Sequence, residues 1–446
     1  MSRKKASVPP KLPQPLTPPQ PASPPGILPP PLHPPNAPGT GEILDDIFKS
    51  TKGLLEYERN LIKAYEMCLN PPKIDVGSTP HEIAWEEDGI RLLHYLPFVD
   101  NEDIKPVPMI FIYALINKPY ILDLQPDRSV VRQFLRAGID CYLIDWGEPT
   151  EADKFRDTND YVNYFIDSMV DFICEKHGLD KISVLGYCMG GTYSVIYTAL
   201  HPQKVKNLIA MAAGIDWKSE EGLLRTWSKR EHFHVDKIVD AYGNVTGEFL
   251  NSAFNMLSPV LNNYVKYLDL VGKVDDEMFI ANFFRMEKWI RDGIPLAGEA
   301  YREFIKNAYQ ENRLVKGEWV VGDRAADLKD IDMPVLNLIG EKDTLIHPEE
   351  SKPLLDHVSS TDKTCITFPT GHIGISVGSK THREVWPKVV DWLKKRSDTG
   401  EYNPVPPSPG PEAGKPKATK AKKARQRKAK ARKAAPAAPG SPGEKE

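Results

Sequence analysis

Short apolar runs recur along the middle of the chain, spaced by longer stretches of mixed polarity. The runs at 108–115 (PMIFIYAL), 139–146 (IDCYLIDW), 181–187 (KISVLGY), 207–214 (NLIAMAAG), 334–340 (PVLNLIG) and 364–369 (TCITFP) predict strands. Segments such as SVVRQFLRAG and DYVNYFIDSMVDFICEKHG read as helices and separate most of these runs. Continuous apolar strands alternating with helices predict a parallel sheet buried on both faces. Residues 81–96 read as a hairpin. Residues 42–69 place Ile43, Ile47, Leu54, Leu61, Ile62 and Tyr65 at helical spacing and predict an amphipathic helix. No internal repeat is visible.

The alternation breaks between Asp216 and Asp330. That interval is aromatic-rich and helical, with no clear strand, and it predicts a lid over the sheet with a core of its own. The ends differ again. Residues 1–40 hold fifteen prolines, which restrict φ and lack a backbone donor, so this head predicts an extended disordered linker. From about residue 399 to 446 the chain is rich in Lys, Ala and Pro, with no apolar face to bury, and predicts a disordered basic tail. Ordered structure is expected over 41–398. The net charge of −3 conceals an asymmetry: eleven Lys and Arg and no acid fall between Lys415 and Lys433, so the remainder carries −14.

Charged residues at 27% and hydrophobic residues at 41% are ordinary for a soluble protein with a substantial core. The five cysteines (Cys68, Cys141, Cys174, Cys188, Cys365) are scattered and form no C-x-x-C pair, which argues for a reduced cytosolic protein without a zinc site or disulfide framework. The amino terminus has basic residues but no apolar core of a signal peptide, and no stretch approaches the roughly 18 apolar residues of a membrane span.

Chemistry enters at 185–194, LGYCMGGTYS. An apolar strand, a glycine-flanked residue and a helix make the G-x-S-x-G nucleophile elbow of the α/β-hydrolase fold, with Cys188 in the serine position. An elbow nucleophile needs a base and an orienting acid, and in this fold they follow in the order nucleophile, acid, histidine. Asp343 follows the run 334–340 and His372 follows the run 364–369, so Cys188, Asp343 and His372 have that order, each just past a predicted strand. Asp343 has a plainer alternative, as the cap of a helix starting near Pro348. His232 and His234 invite a metal reading, but no acid or cysteine pattern supports it, so they read as exposed lid residues. The backbone amides of Met189 and of Ile116, in the loop after 108–115, are the expected oxyanion donors.

The thiol itself is informative. The thiolate is the nucleophilic form, and a neighbouring histidine and a helix N-terminus both favour it. Thiol attack on an oxygen ester is poorly matched, because alkoxide leaves worse than thiolate. Attack on a thioester exchanges one thioester for another and keeps the acyl group activated for a hydroxyl acceptor. The elbow therefore suggests an acyltransferase with a thioester donor such as acyl-CoA, as substrate and without a further cofactor. Such chemistry gains from a lid that excludes water.

The stretches at 113–149, 186–191 (GYCMGG), 282–293 (NFFRMEKWIRDG), 297–318, 333–343 (MPVLNLIGEKD) and 371–387 (GHIGISVGSKTHREVWP) are similar to polyhydroxyalkanoate synthases. The short body resembles the class III catalytic subunit over roughly 42–396, the tails excluded. The resemblance implies an α/β-hydrolase fold whose large helical lid is inserted before the acid-bearing strand. It implies polymerisation of (R)-3-hydroxyacyl-CoA, typically 3-hydroxybutyryl-CoA, into polyester with release of CoA. Cys188 would carry the chain as a thioester, and His372 would deprotonate Cys188 or the attacking hydroxyl. Asp343 would orient His372 or help to activate the 3-hydroxyl. A PhaE-type second subunit (or the related PhaR type), a homodimer or larger assembly, and a place on cytoplasmic storage granules are implied likewise. Two positions depart from the family: Met189 replaces the usual Gln, and Thr344 the usual His after the acid, with His347 three residues on.

Two rival readings differ in class. One is a cysteine-elbow hydrolase or thioesterase of the dienelactone hydrolase kind, with water as acceptor. The other is a granule-to-DNA tether, since a run of Lys and Arg binds polyanions through counterion release. A solubilising tail, or pairing with the acidic body, is the plainer account of those charges.

Overall fold

The computed structural model describes residues 40–218 and 222–397. The Pro-rich head before residue 40 and the basic tail lie outside the described residues. The described residues fall into two units that divide between Arg59 and Asn60. Helix α1 (Thr40–Leu69) runs across that division. Its apolar spacing does form a helix, yet Leu54, Leu61, Ile62 and Tyr65 stand exposed, and Ala64 is its buried position among the described side chains.

The second unit is built on an eight-stranded sheet in the order β1-β2-β4-β3-β5-β6-β9-β10. Its strands are β1 (His81–Glu87), β2 (Ile90–Tyr95), β3 (Met109–Ile112), β4 (Cys141–Asp145), β5 (Ile182–Tyr187), β6 (Val205–Met211), β9 (Val335–Gly340) and β10 (Lys363–Phe368). The β1–β2 hairpin is antiparallel, and β2 joins β4 antiparallel; β4, β3, β5, β6, β9 and β10 run parallel. The apolar runs of β3, β4, β5 and β9 are buried throughout, as a sheet covered on both faces requires. β10 departs from that expectation. It is an edge strand whose residues alternate between exposed and half-buried, so one face meets solvent.

Helices α2 (Val130–Leu135), α3 (Asp167–His177) and α4 (Met189–Leu200) connect the parallel strands. All twelve residues of α4 are buried, so this helix lies inside the core and tolerates no polar face. Between β6 and β9 the chain builds a cap from α5 (Leu223–Trp227), α6 (Val235–Tyr242), α7 (Gly247–Asn255), α8 (Lys266–Gly272), α9 (Glu277–Arg291) and α10 (Gly298–Phe304). The interval also contains two paired two-residue strands, β7 (Val320–Val321) and β8 (Arg324–Ala325), too short to leave a pattern in the sequence.

The cap does not have one core of its own. Val235, Val239, Leu250, Tyr301, Phe304, Tyr309 and Trp319 join the core of the sheet. Leu270, Val271, Val274, Ile280, Phe283 and Phe284 form a separate cluster with Ala64 of α1.

Candidate active site

β5 delivers the chain into Cys188 at φ 60° and ψ −128°, a conformation that side chains rarely adopt, and α4 begins at the next residue. The turn can be this sharp because its neighbours lack side chains. A Cβ on Gly186 would sit 2.1 Å from Ser194 Oγ, and one on Gly190 would sit 2.3 Å from the Ile112 carbonyl oxygen. The Cys188 amide donates to the Met211 carbonyl at 3.0 Å, which ties the strained residue to β6. The thiol therefore sits at the N-terminus of a buried helix, where the aligned peptide dipoles favour negative charge.

Asp343 lies in the turn after β9 and is buried. Its Oδ1 accepts from the Leu345 and Ile346 amides, each at 2.9 Å, and its Oδ2 accepts from His372 Nδ1 at 2.7 Å. A carboxylate only accepts, so Nδ1 carries the proton and the other ring nitrogen is left for a second partner. Cys188 is close enough to the imidazole to act on it electrostatically. Burial opposes protonation of His372, but the charges and hydrogen bonds of Asp343 and Cys188 outweigh it, and the pKa is pushed up to about 10. The structure thus places Cys188 near the hydrogen-bonded pair of His372 and Asp343. The capping alternative for Asp343 does not hold: the helix Pro348–Ser351 is capped by His347, whose amide donates to Glu350 Oε2 at 3.0 Å. Thr344 is exposed, and so are His232 and His234.

A cavity of about 160 Å³ opens at the thiol. Cys188, Met189 and Thr192 line it from the elbow, and Ile116 from the turn after β3. The cap supplies Trp227, Phe233, Phe249, Tyr301, Phe304 and Tyr309. Both positions expected to donate to an oxyanion, Met189 and Ile116, thus border the space in front of Cys188. The Ile116 turn is fastened to the end of α9. Ile294 N donates to Ile116 O at 3.1 Å, Trp289 Nε1 to Lys118 O at 3.0 Å, and Tyr120 Oη to Asp292 Oδ2 at 2.7 Å.

Sequence reasoning passed over two kinds of residue here. The aromatic spacing of the cap reads in the sequence as a separate lid core, yet six of these side chains line the cavity that opens at the thiol. Tyr187, one residue before the nucleophile position, stacks on His372 with ring centroids 5.2 Å apart. Its place inside the G-x-C-x-G segment was the available signal.

The strand–elbow–helix unit, the order of the three residues and the inserted cap define an α/β-hydrolase with cysteine at its elbow. A family model described as alpha/beta hydrolase fold matches residues 107–379, more than half of the chain. Among solved structures, a monoacylglycerol lipase from Paleococcus ferrophilus aligns at 18% identity and a TM-score of 0.42, covering 65% of this chain and 96% of its own.

Within that class the relatives are specific. A second model, for the N-terminus of poly-beta-hydroxybutyrate polymerase (PhaC), matches residues 38–134. The poly(3-hydroxyalkanoate) polymerase subunit PhaC of Allochromatium vinosum is 42% identical over 348 residues, which are 78% of this chain and 98% of that relative. Its counterpart in Haloferax mediterranei is 47% identical over 328 residues, 74% of this chain and 66% of that longer relative. The chain belongs to the PhaC family of poly(3-hydroxyalkanoate) polymerases.

Proposed function

We propose that this chain polymerises (R)-3-hydroxyacyl-CoA, 3-hydroxybutyryl-CoA foremost, into polyester and releases CoA. The observation that carries this reading is a cysteine at a strained elbow, beside a His372 hydrogen-bonded to Asp343 and bordering a cavity walled by apolar cap side chains. The Cys188 thiolate attacks the thioester carbonyl carbon, and the Met189 and Ile116 amides donate to the developing oxyanion. The C–S bond to CoA breaks, and His372 returns a proton to the departing thiolate. In the next half-reaction the 3-hydroxyl of an acyl group gives its proton to His372. Its oxygen attacks the carbonyl of the Cys188 thioester, an ester C–O bond forms, and the thiolate is regenerated. Both Asp343 oxygens are already engaged, by two backbone amides and by His372 Nδ1. That arrangement supports a role in holding the imidazole rather than in activating the hydroxyl directly. Apolar walls keep water from hydrolysing the acyl thioester.

The proposal includes a PhaE-type second subunit and assembly as a dimer or larger, in keeping with relatives named as subunits. No helix among the described residues is long and apolar enough to cross a membrane. Action at the surface of a cytoplasmic granule is part of the proposal, and the basic tail is offered as a polyanion contact there.

The test mixes the purified chain, with and without a PhaE-type subunit, with (R)-3-hydroxybutyryl-CoA and follows free CoA with a thiol reagent. Chloroform-extractable polyester, lost in Cys188→Ala, is the expected product. CoA release with only soluble 3-hydroxybutyrate overturns the proposal in favour of a thioesterase. Absence of CoA release with the partner present overturns it as well.

A further inference from the structure

We infer that Tyr187 is a positioning residue for the base: it clamps His372 from the ring face and from the backbone at once. The inference rests on the reading of His372 as the base of Cys188. Tyr187 is the last residue of β5 and is buried. Its ring lies over the imidazole at 5.2 Å between centroids, inclined by 28°. Its hydroxyl donates to the His372 carbonyl at 3.0 Å, across 185 residues of chain. Tyr113 also packs against it, with centroids 5.4 Å apart. Thus His372 is held by Asp343 at Nδ1 and by Tyr187 at its face and peptide.

Tyr187 and Cys188 are consecutive residues, so one peptide unit carries both the nucleophile and the platform of its base. The separation of thiol and imidazole is then set by β5 and the elbow and not by the turn after β10 alone. The ring also has an electrostatic consequence, because an aromatic face stabilises a cation lying against it. Burial, followed by the nearby Cys188, pushes ionisation of Tyr187 far up, so it stays a neutral phenol beside the imidazolium. Asp343 and Cys188 act on His372, and both favour its cationic form.

The test compares Tyr187→Phe and Tyr187→Met in the full chain. Phe keeps the ring and removes the hydroxyl; Met fills the volume with a flexible side chain and removes both. Iodoacetamide alkylation of Cys188 is measured from pH 5 to 11 by peptide mass spectrometry, which separates it from the other cysteines. Loss of the ring should slow alkylation at pH 7 about tenfold, because thiolate and imidazolium form together. Phe should hold that rate within about threefold while kcat for CoA release falls about fivefold, the value of one neutral hydrogen bond. Wild-type alkylation profiles and kcat in both variants overturn the inference, as does a Phe variant no better than Met. Should Met fail to fold, an unchanged kcat in the Phe variant overturns it. Alkylation needs no acyl substrate, so a chain that makes no polymer but shows the ring dependence would refute the polymerase reading and leave the clamp standing.

Discussion

The sheet and the cap solve different problems with different precision. At the sheet's carboxyl edge the groups are fixed several times over. Cys188 is tied to β6 by its amide, Asp343 is gripped by two amides, and His372 is held from three sides. The cap is looser. Its inner residues join the sheet's core, while Met256, Val260, Leu261, Tyr264 and Leu268 present large apolar side chains to solvent. Groups that transfer protons need positions held within fractions of an ångström. A wall that admits acyl-CoA and shelters a growing chain needs apolar area more than fixed geometry. The two regions should therefore respond differently to substitution.

The largest effect belongs to the elbow. Cys188→Ser keeps the turn and exchanges thiol for hydroxyl, so it isolates the chemistry from the fold. CoA release should fall by about 10³-fold or more, on the scale of losing an activated nucleophile, with the melting temperature unchanged. A serine variant that retained a tenth of the activity would remove the argument for thioester exchange.

Next comes the cap's inner wall. Phe304 is nearly buried and meets Tyr193, Trp217, Tyr309 and Trp319 edge-on, with centroids at 5.9, 6.2, 6.1 and 5.9 Å. Phe304→Ala should destabilise the protein by about 3–5 kcal/mol in denaturant titration, as for other buried Phe truncations. A cost below about 1 kcal/mol would mean that the inner wall is as loosely determined as the outer one.

The buried acids sharpen the comparison through pH. Burial, opposed by the His347 amide and reinforced by Asp343, pushes Glu350 up to about 7. A carboxyl whose folded pKa exceeds its unfolded value of 4.5 favours folding while protonated, and that benefit is lost as pH rises through about 7. Glu350→Gln can still accept from the His347 amide, so it should raise stability at pH 8 by about 1–3 kcal/mol and change little at pH 5. His372 acts in the same sense at higher pH. Its contribution is complete below the unfolded value of 6.5 and disappears as pH passes about 10. Thermal melts at pH 5, 8 and 10 separate the two groups, and a Gln variant less stable than wild type at pH 8 would contradict the assignment for Glu350.

What the sequence disclosed follows the same division. The strands of the main sheet were legible: β3, β4, β5, β6 and β9 as apolar runs, which are a local pattern, β1 and β2 as a hairpin, and β10 as an apolar run that lies at the edge. The order Cys188, Asp343, His372 was legible because each residue follows such a run, and the structure brings the three together. The stack of Tyr187 on His372 was not, since its partners are 185 residues apart and nothing in GYC says where the ring points. The cap's division into two clusters was hidden for a related reason: an aromatic at helical spacing shows that it is buried, not against what. The helical spacing over 42–69 does form α1. It marks an apolar face, but Leu61, Ile62 and Tyr65 leave that face open to solvent.

The smallest effect tests that outer surface. Leu268 is 59% exposed on α8, and Val260 and Tyr264, in the segment that leads into it, are exposed apolar side chains as well. In the isolated chain Leu268→Ala and Tyr264→Ala remove side chains that already meet water, so no cavity forms and little burial is lost. Each should shift unfolding by no more than about 0.5 kcal/mol, in contrast with Phe304→Ala. The melt should also be independent of protein concentration. A cost above about 2 kcal/mol, or a melt that moves with concentration, would show these residues covered in solution. The cap's outer face would then be held as firmly as its inner one, and the distinction between a rigid sheet and a permissive cap would fail.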